Sequence, residues 1–236
     1  MFKEELVKRL AEILKEENGV KEAAHFLSQI ELRESLDYLI SLLEEEIKKE
    51  KKIEIIYILG SSKQEKVIEA LKQRLNKENK EVKVAILYSL IGMHTPKVIP
   101  ILEEAINIEE IKTIALEGLG EMADLIPPEK KKEIIDLLLT SLNSKDTKEQ
   151  AIVSLGKIKT ERAVSYLIKL FKNENREAKK MIVQSLGNIG GEKAEDFLFE
   201  KLKEKGEIYP EIIVELEKLY LGSLSTNPNF DPQIWA

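Results

Sequence analysis

Five leucines, Leu59, Leu90, Leu119, Leu155 and Leu186, sit in near-copies of one pattern at intervals of 31, 29, 36 and 31 residues. A period of that size, filled with apolar residues at helical spacing, does not describe one closed core. Each copy is a supersecondary unit that buries its apolar face only against the next. The predicted fold is all-α, an α-solenoid (superhelix) of about six stacked helix pairs with N- and C-terminal capping helices.

Aligned on these anchors, the copies resolve into columns. Four residues before the anchor stand Ile55, Ile86, Ala115, Ala151 and Ile182, one turn back on the same helix face. One residue after it stand Gly60, Ile91, Gly120, Gly156 and Gly187, and four glycines out of five suit a helix end that turns tightly. Farther on, Val67-Leu71-Leu75, Val98-Leu102-Ile106, Ala163-Leu167-Phe171 and Ala194-Leu198-Leu202 recur at a spacing of four, the apolar stripe of a second helix. Thr95-Pro96 and Thr160-Glu161 read as the starts of second helices, with threonine as the N-cap.

An earlier copy fits Leu27 as anchor, with Ser35, Leu39 and Leu43 in the later columns. Residues 1–222 are expected to form a single solenoid, with 1–18 an N-terminal capping helix and 210–222 a C-terminal capping helix stopped by Gly222. Residues 223–236 read as a non-helical tail. Pro228 and Pro232 oppose helix, while Phe230, Ile234 and Trp235 are anchors able to pack on the last helix or dock on a partner or a neighbouring copy. The 36-residue interval carries an insertion around 121–128, read as a longer helix with a proline-started partner, the alternative being a partner-contact feature.

Composition limits the function classes. The net charge of -6 disfavours nucleic acid, because a phosphate backbone meets net repulsion unless a local basic stripe overcomes it. With no cysteine, disulfides, thiolate nucleophiles and Cys-ligated metals are excluded. No stretch approaches the roughly 20 apolar residues of a membrane span. The first ten residues alternate charge with apolar side chains, unlike a signal peptide. A cytoplasmic location is expected, and the abundance of Lys and Glu fits a heat-adapted source.

The segments Ala151-Ile152-Val153-Ser154-Leu155-Gly156-Lys157-Ile158 and Ile182-Val183-Gln184-Ser185-Leu186-Gly187-Asn188-Ile189 resemble HEAT repeats, most closely the short HEAT-like type of the phycobilisome (phycocyanobilin) lyase subunits. The resemblance runs from about Lys21 to Glu207. In that type, an acid and a base near the start of the first helix form a ladder between neighbouring repeats. Both columns are present here: Glu50, Glu81, Glu110, Asp146 and Glu177, then Lys52, Lys83, Lys112, Lys148 and Lys179. Lysine replaces the family's usual arginine, so bidentate pairing is lost and each exposed rung contributes less than about 1 kcal/mol.

No catalytic constellation emerges. The only two histidines, His25 and His94, lie in different repeats, and the several His-Glu pairs that the iron site of the HEAT-repeat hydroxylase acting on deoxyhypusine needs do not occur in the sequence. Zinc ligands are lacking for the same reason. Ser61, Ser62, Ser89, Ser154 and Ser185 read as small packing residues, with no histidine base in the pattern. The basic cleft that HEAT-like DNA glycosylases use is not expected in an acidic chain whose sole Trp is Trp235.

In a solenoid of this kind the second helices line the concave side. Lys66, Lys97, Arg162 and Lys193 open successive second helices as a basic file, and Tyr166, Lys169 and Phe197 stand at or beside the stripe margin. The predicted partner patch comprises Arg162, Tyr166, Lys169, Lys193 and Phe197, with Lys66 and Lys97 extending it. The function expected is a non-catalytic scaffold that binds a protein or peptide, without cofactor or metal. The alternative is an accessory subunit of an enzyme complex, chromophore-lyase-like and active only with a second chain.

Overall fold

The computed structural model describes residues 2–15, 23, 26–27, 33–45 and 47–225, and no strand occurs among them. The helices are α1 (Phe2–Lys15), α2 (Arg33–Leu42), α3 (Lys49–Gly60), α4 (Glu65–Leu75), α5 (Lys80–Met93), α6 (Ile99–Ala105), α7 (Lys112–Glu121), α8 (Pro128–Ser141), α9 (Lys148–Ile158), α10 (Glu161–Phe171), α11 (Arg176–Ile189), α12 (Glu192–Glu204) and α13 (Tyr209–Ser225). Two compact units divide between Gly118 and Leu119.

In the first unit, α3 packs on α5, and α4 lies against α5. In the second, α9 packs on α11 and α11 on α13, while α10 and α12 lie against α11. The anchors fall in the first helix of each pair, at α3, α5, α7, α9 and α11, and all five are fully buried. The residues four before them are buried too, as are Leu27, Ser35, Leu39 and Leu43 of the earlier copy. Equivalent columns therefore occupy equivalent surroundings.

The glycine column has a different cause from the one expected. Gly60, Gly120, Gly156 and Gly187 lie within helices and are not among the positive-φ residues. They are small because the next first helix approaches there. A Cβ at Gly60 would lie 2.9 Å from Ser89 Cβ, one at Gly120 2.9 Å from Ser154 Cα, and one at Gly156 2.7 Å from Ser185 Oγ. Where the column holds Ile91, the bulk is exchanged across the interface: the facing residue is Gly118, whose absent Cβ leaves the space that Ile91 Cδ1 fills. The serines also bond between layers, Ser89 Oγ donating to Ile56 O (3.1 Å) and Ser185 Oγ to Ile152 O (2.9 Å).

The turn itself comes three residues later than the sequence suggested. Lys63, His94, Lys159 and Gly190, each four after its anchor, carry the left-handed backbone with φ of 52°, 47°, 54° and 68°. The insertion is accommodated similarly locally. α7 is not lengthened; it ends at Glu121, a 3₁₀ turn takes up Ala123–Leu125, and α8 starts at Pro128. Thr95 and Thr160 do occupy N-cap positions, but neither side chain makes a capping bond. Asn79 and Asn175 do so instead, accepting from Val82 N (3.1 Å) and Ala178 N (2.9 Å) at the starts of α5 and α11.

α13 runs three residues beyond the stop expected at Gly222, so residues 223–225 are helical. Phe230, Ile234 and Trp235 lie outside the described residues, as does His25.

Candidate functional site

The second helices present the residues singled out for binding, and the structure sorts them by role. The basic file reaches back, each member to a polar group on the preceding second helix. Lys66 Nζ meets Asp37 Oδ1 at 2.7 Å, Lys97 meets Glu65 at 2.6 Å, Arg162 meets Asp136 at 2.5 Å, and Lys193 donates to Ser165 Oγ at 2.7 Å. These four residues thus form a ladder between second helices. The expected ladder between first helices also exists, with a shifted partner. Lys83 does meet Glu110 (3.4 Å), but Lys52 bonds Glu78 (3.2 Å) and Lys148 bonds Glu174 (2.7 Å), acids in the turn three residues before the predicted column. Helical side chains lean toward the helix N-terminus, which brings these ammonium groups down to the turn.

Phe197 is 8% exposed and meets Phe171 edge-on at 5.2 Å between centroids, with Lys201 Nζ 5.7 Å from its ring. It serves packing between α10 and α12. Tyr166 is 51% exposed.

Tyr166 and Lys169 are brought together at a groove of about 330 Å³ between the C-terminal parts of α8 and α10. Leu139, Leu142 and Leu170 give it apolar lining, and Asn143 and Asn173 add amides. The Arg162–Asp136 pair ties the same two helices one turn toward their N-termini, so Arg162 holds the walls of the groove in register. Such a site can take an apolar side chain against the leucines, a carboxylate at the ammonium of Lys169 and peptide groups at the amides. The leucines on α8 escaped the sequence reading because the insertion breaks the column alignment ahead of that helix. The asparagines lie past the helix ends, where periodicity carries no signal.

Two other hollows lie in the second unit. One of about 660 Å³ runs along Gly120, Gly156 and Asn188 beside the 3₁₀ turn, rimmed by Lys131, Lys159 and Asp124 and crossed by the Lys157–Glu121 ion pair. The other, about 400 Å³, is lined by Glu161, Ser165, Gly190, Gly191, Glu192 and Lys193. Charged side chains form part of the lining of both. No group of three or more His, Cys, Asp or Glu side chains among the described residues is placed to hold a metal ion, and no described helix is long and apolar enough to cross a membrane.

The family model for HEAT repeats matches residues 132–209, from within α8 to the start of α13. Among solved structures, the complex of CpcE and CpcF of phycocyanin lyase from Nostoc sp. PCC7120 is similar at 15% identity and a TM-score of 0.50, over 90% of this chain and 94% of that one. Human deoxyhypusine hydroxylase in complex with glycerol is similar at 14% identity and a TM-score of 0.44, over 92% of this chain and 97% of that one. At 15% identity the likeness to the CpcE–CpcF complex is one of fold. No curated protein matches the sequence.

Proposed function

We propose that this HEAT-like repeat chain is a non-catalytic interaction scaffold, working in the cytoplasm, that holds a segment of a protein partner in the groove between α8 and α10. The observation that carries this reading is Tyr166: half its surface is exposed at the mouth of a leucine-lined groove, with a lysine beside it. A tyrosine presents a large amphipathic surface at a low cost in side-chain entropy, which is why the type is frequent among interface anchors. Lys169 adds a preference for acidic neighbours of the anchored side chain.

Selection from a displayed random-peptide library tests this. The peptides enriched should pair an aliphatic or aromatic side chain with a nearby acid. Tyr166→Ser should weaken their binding by about 2 kcal/mol, roughly thirtyfold. Lys169→Glu should remove the acidic preference. Enriched peptides whose binding ignores both substitutions would place recognition elsewhere. The accessory-subunit alternative draws only on the fold shared with the CpcE–CpcF complex. An assembly from the native host carrying a coloured or cofactor-bearing chain would favour it.

A further inference from the structure

The residues two before the anchors form a column of their own on three consecutive first helices: Tyr57 on α3, Tyr88 on α5 and Glu117 on α7. The tyrosines are 50% and 42% exposed, on helices that pack directly against each other. Half-buried Ile53 and Val84 lie one turn before them, so the strip across α3 and α5 is apolar and aromatic. Tyr57 Oη has no hydrogen-bond partner among the described residues, whereas Tyr88 Oη donates to Glu117 Oε2 at 3.4 Å, which places that carboxylate beside the second ring. Lys52 and Lys83 are neutralised near the helix starts by Glu78 and Glu110. The column therefore runs from two rings to an acid.

We infer that this strip binds a proline-rich segment of another protein, with a basic residue three positions from its nearer proline. Packed helices stand about 8–10 Å apart, so equivalent side chains recur at that spacing across the layers. A polyproline II helix returns to the same face every three residues, about 9 Å. Two prolines three apart can therefore lie on Tyr57 and Tyr88 in turn. The next residue on that face, three farther on, arrives at Glu117, where lysine or arginine meets the carboxylate. The donors match as well. A segment in this conformation has no internal hydrogen bonds, so its carbonyls are open to the unpartnered Tyr57 Oη. Its shape is formed before binding, which keeps the ordering cost low, and aromatic surfaces are its usual seat. The chain can run in either direction, as Pro-x-x-Pro-x-x-Lys/Arg or Lys/Arg-x-x-Pro-x-x-Pro. This surface lies on first helices and does not depend on the groove between α8 and α10.

Selection on the full chain from a displayed library with a fixed Pro-x-x-Pro core and random flanks tests this. Enriched peptides should carry Lys or Arg three residues from the nearer proline. Tyr57→Ala and Tyr88→Ala should each weaken a synthesised enriched peptide about tenfold. Glu117→Lys should turn the preference toward acids in a fresh selection, and Tyr166→Ser should change nothing. Thermal melting followed by circular dichroism checks that each variant is folded; should Tyr88→Ala lose its fold, Tyr57→Ala and Glu117→Lys carry the same reading. A library that yields no binder, binders indifferent to Tyr57 and Glu117, or an acidic preference in the unaltered chain would each overturn the inference. Binding lost only in Tyr166→Ser would place these peptides between α8 and α10 and overturn it equally.

Discussion

At Gly156, a Cβ would lie 2.7 Å from Ser185 Oγ and 2.8 Å from Ser185 Cα, so even alanine forces neighbouring first helices apart. Gly156→Ala is expected to lower stability by about 1–3 kcal/mol, the range for overpacking a tight contact. Adding Ser185→Gly should recover only part of it, because Cα remains close and the bond to Ile152 O is lost. The double change Ile91→Gly with Gly118→Ser would give that layer the glycine-serine pairing found in others, and it should fold. Both are read by thermal melting. The sequence displayed the glycine column plainly but not its reason, since a glycine demanded by a neighbouring helix and one demanded by a turn look alike along a single chain. At the final interface Glu215 takes the serine's place opposite Gly187. Its side chain is buried, Oε1 accepts from Lys218 Nζ at 2.7 Å, and Oε2 has no hydrogen-bond partner.

Among the elements, helix pairs were legible because the anchors, the residues four before them and the second-helix stripes obey the 3.6-residue period, and all are buried except Ile106 and Leu202, which are half-buried at the ends of their stripes. Turns were less so. The left-handed position four after the anchor is held by Lys63, His94 and Lys159, residue types that carry no turn signal, and by Gly190 alone among glycines in that column. Lys159→Gly should raise stability by about 1 kcal/mol, because an L-residue is strained there and glycine is not. Asn175→Ala should cost about 1 kcal/mol by freeing Ala178 N, whereas Thr160→Ala removes no capping bond and should cost less. The groove was half legible. Tyr166 and Lys169 stood out on a helix of clear period, but the leucines of α8 follow the insertion, and Arg162 and Phe197 proved to be engaged within the stack.

Across the whole molecule, ion pairs along both helix files give stability a dependence on solvent. Glu81, Glu110 and Glu211 are held below the ordinary carboxylate range. In each case the hydrogen bond to the residue's own backbone comes first, followed by the nearby Lys49, Lys83 or Lys180. The folded chain thus favours their charged form, and the unfolded chain takes up protons first as pH falls. This contribution is fully present above the ordinary carboxylate value and is lost as pH drops through the lowered folded values. The melting temperature should fall in that acid window, and Glu81→Gln should flatten the slope there. Added salt should lower it modestly, since exposed rungs contribute under about 1 kcal/mol each. The proposed function depends on a partner segment held at the groove between α8 and α10, where Tyr166 is exposed. Backbone amide shifts of the chain, recorded as a library-selected peptide is added, test that most directly. Changes concentrated at 139–143 and 166–173 are expected; saturable changes confined to other helices, with these stretches silent, would contradict binding at this groove.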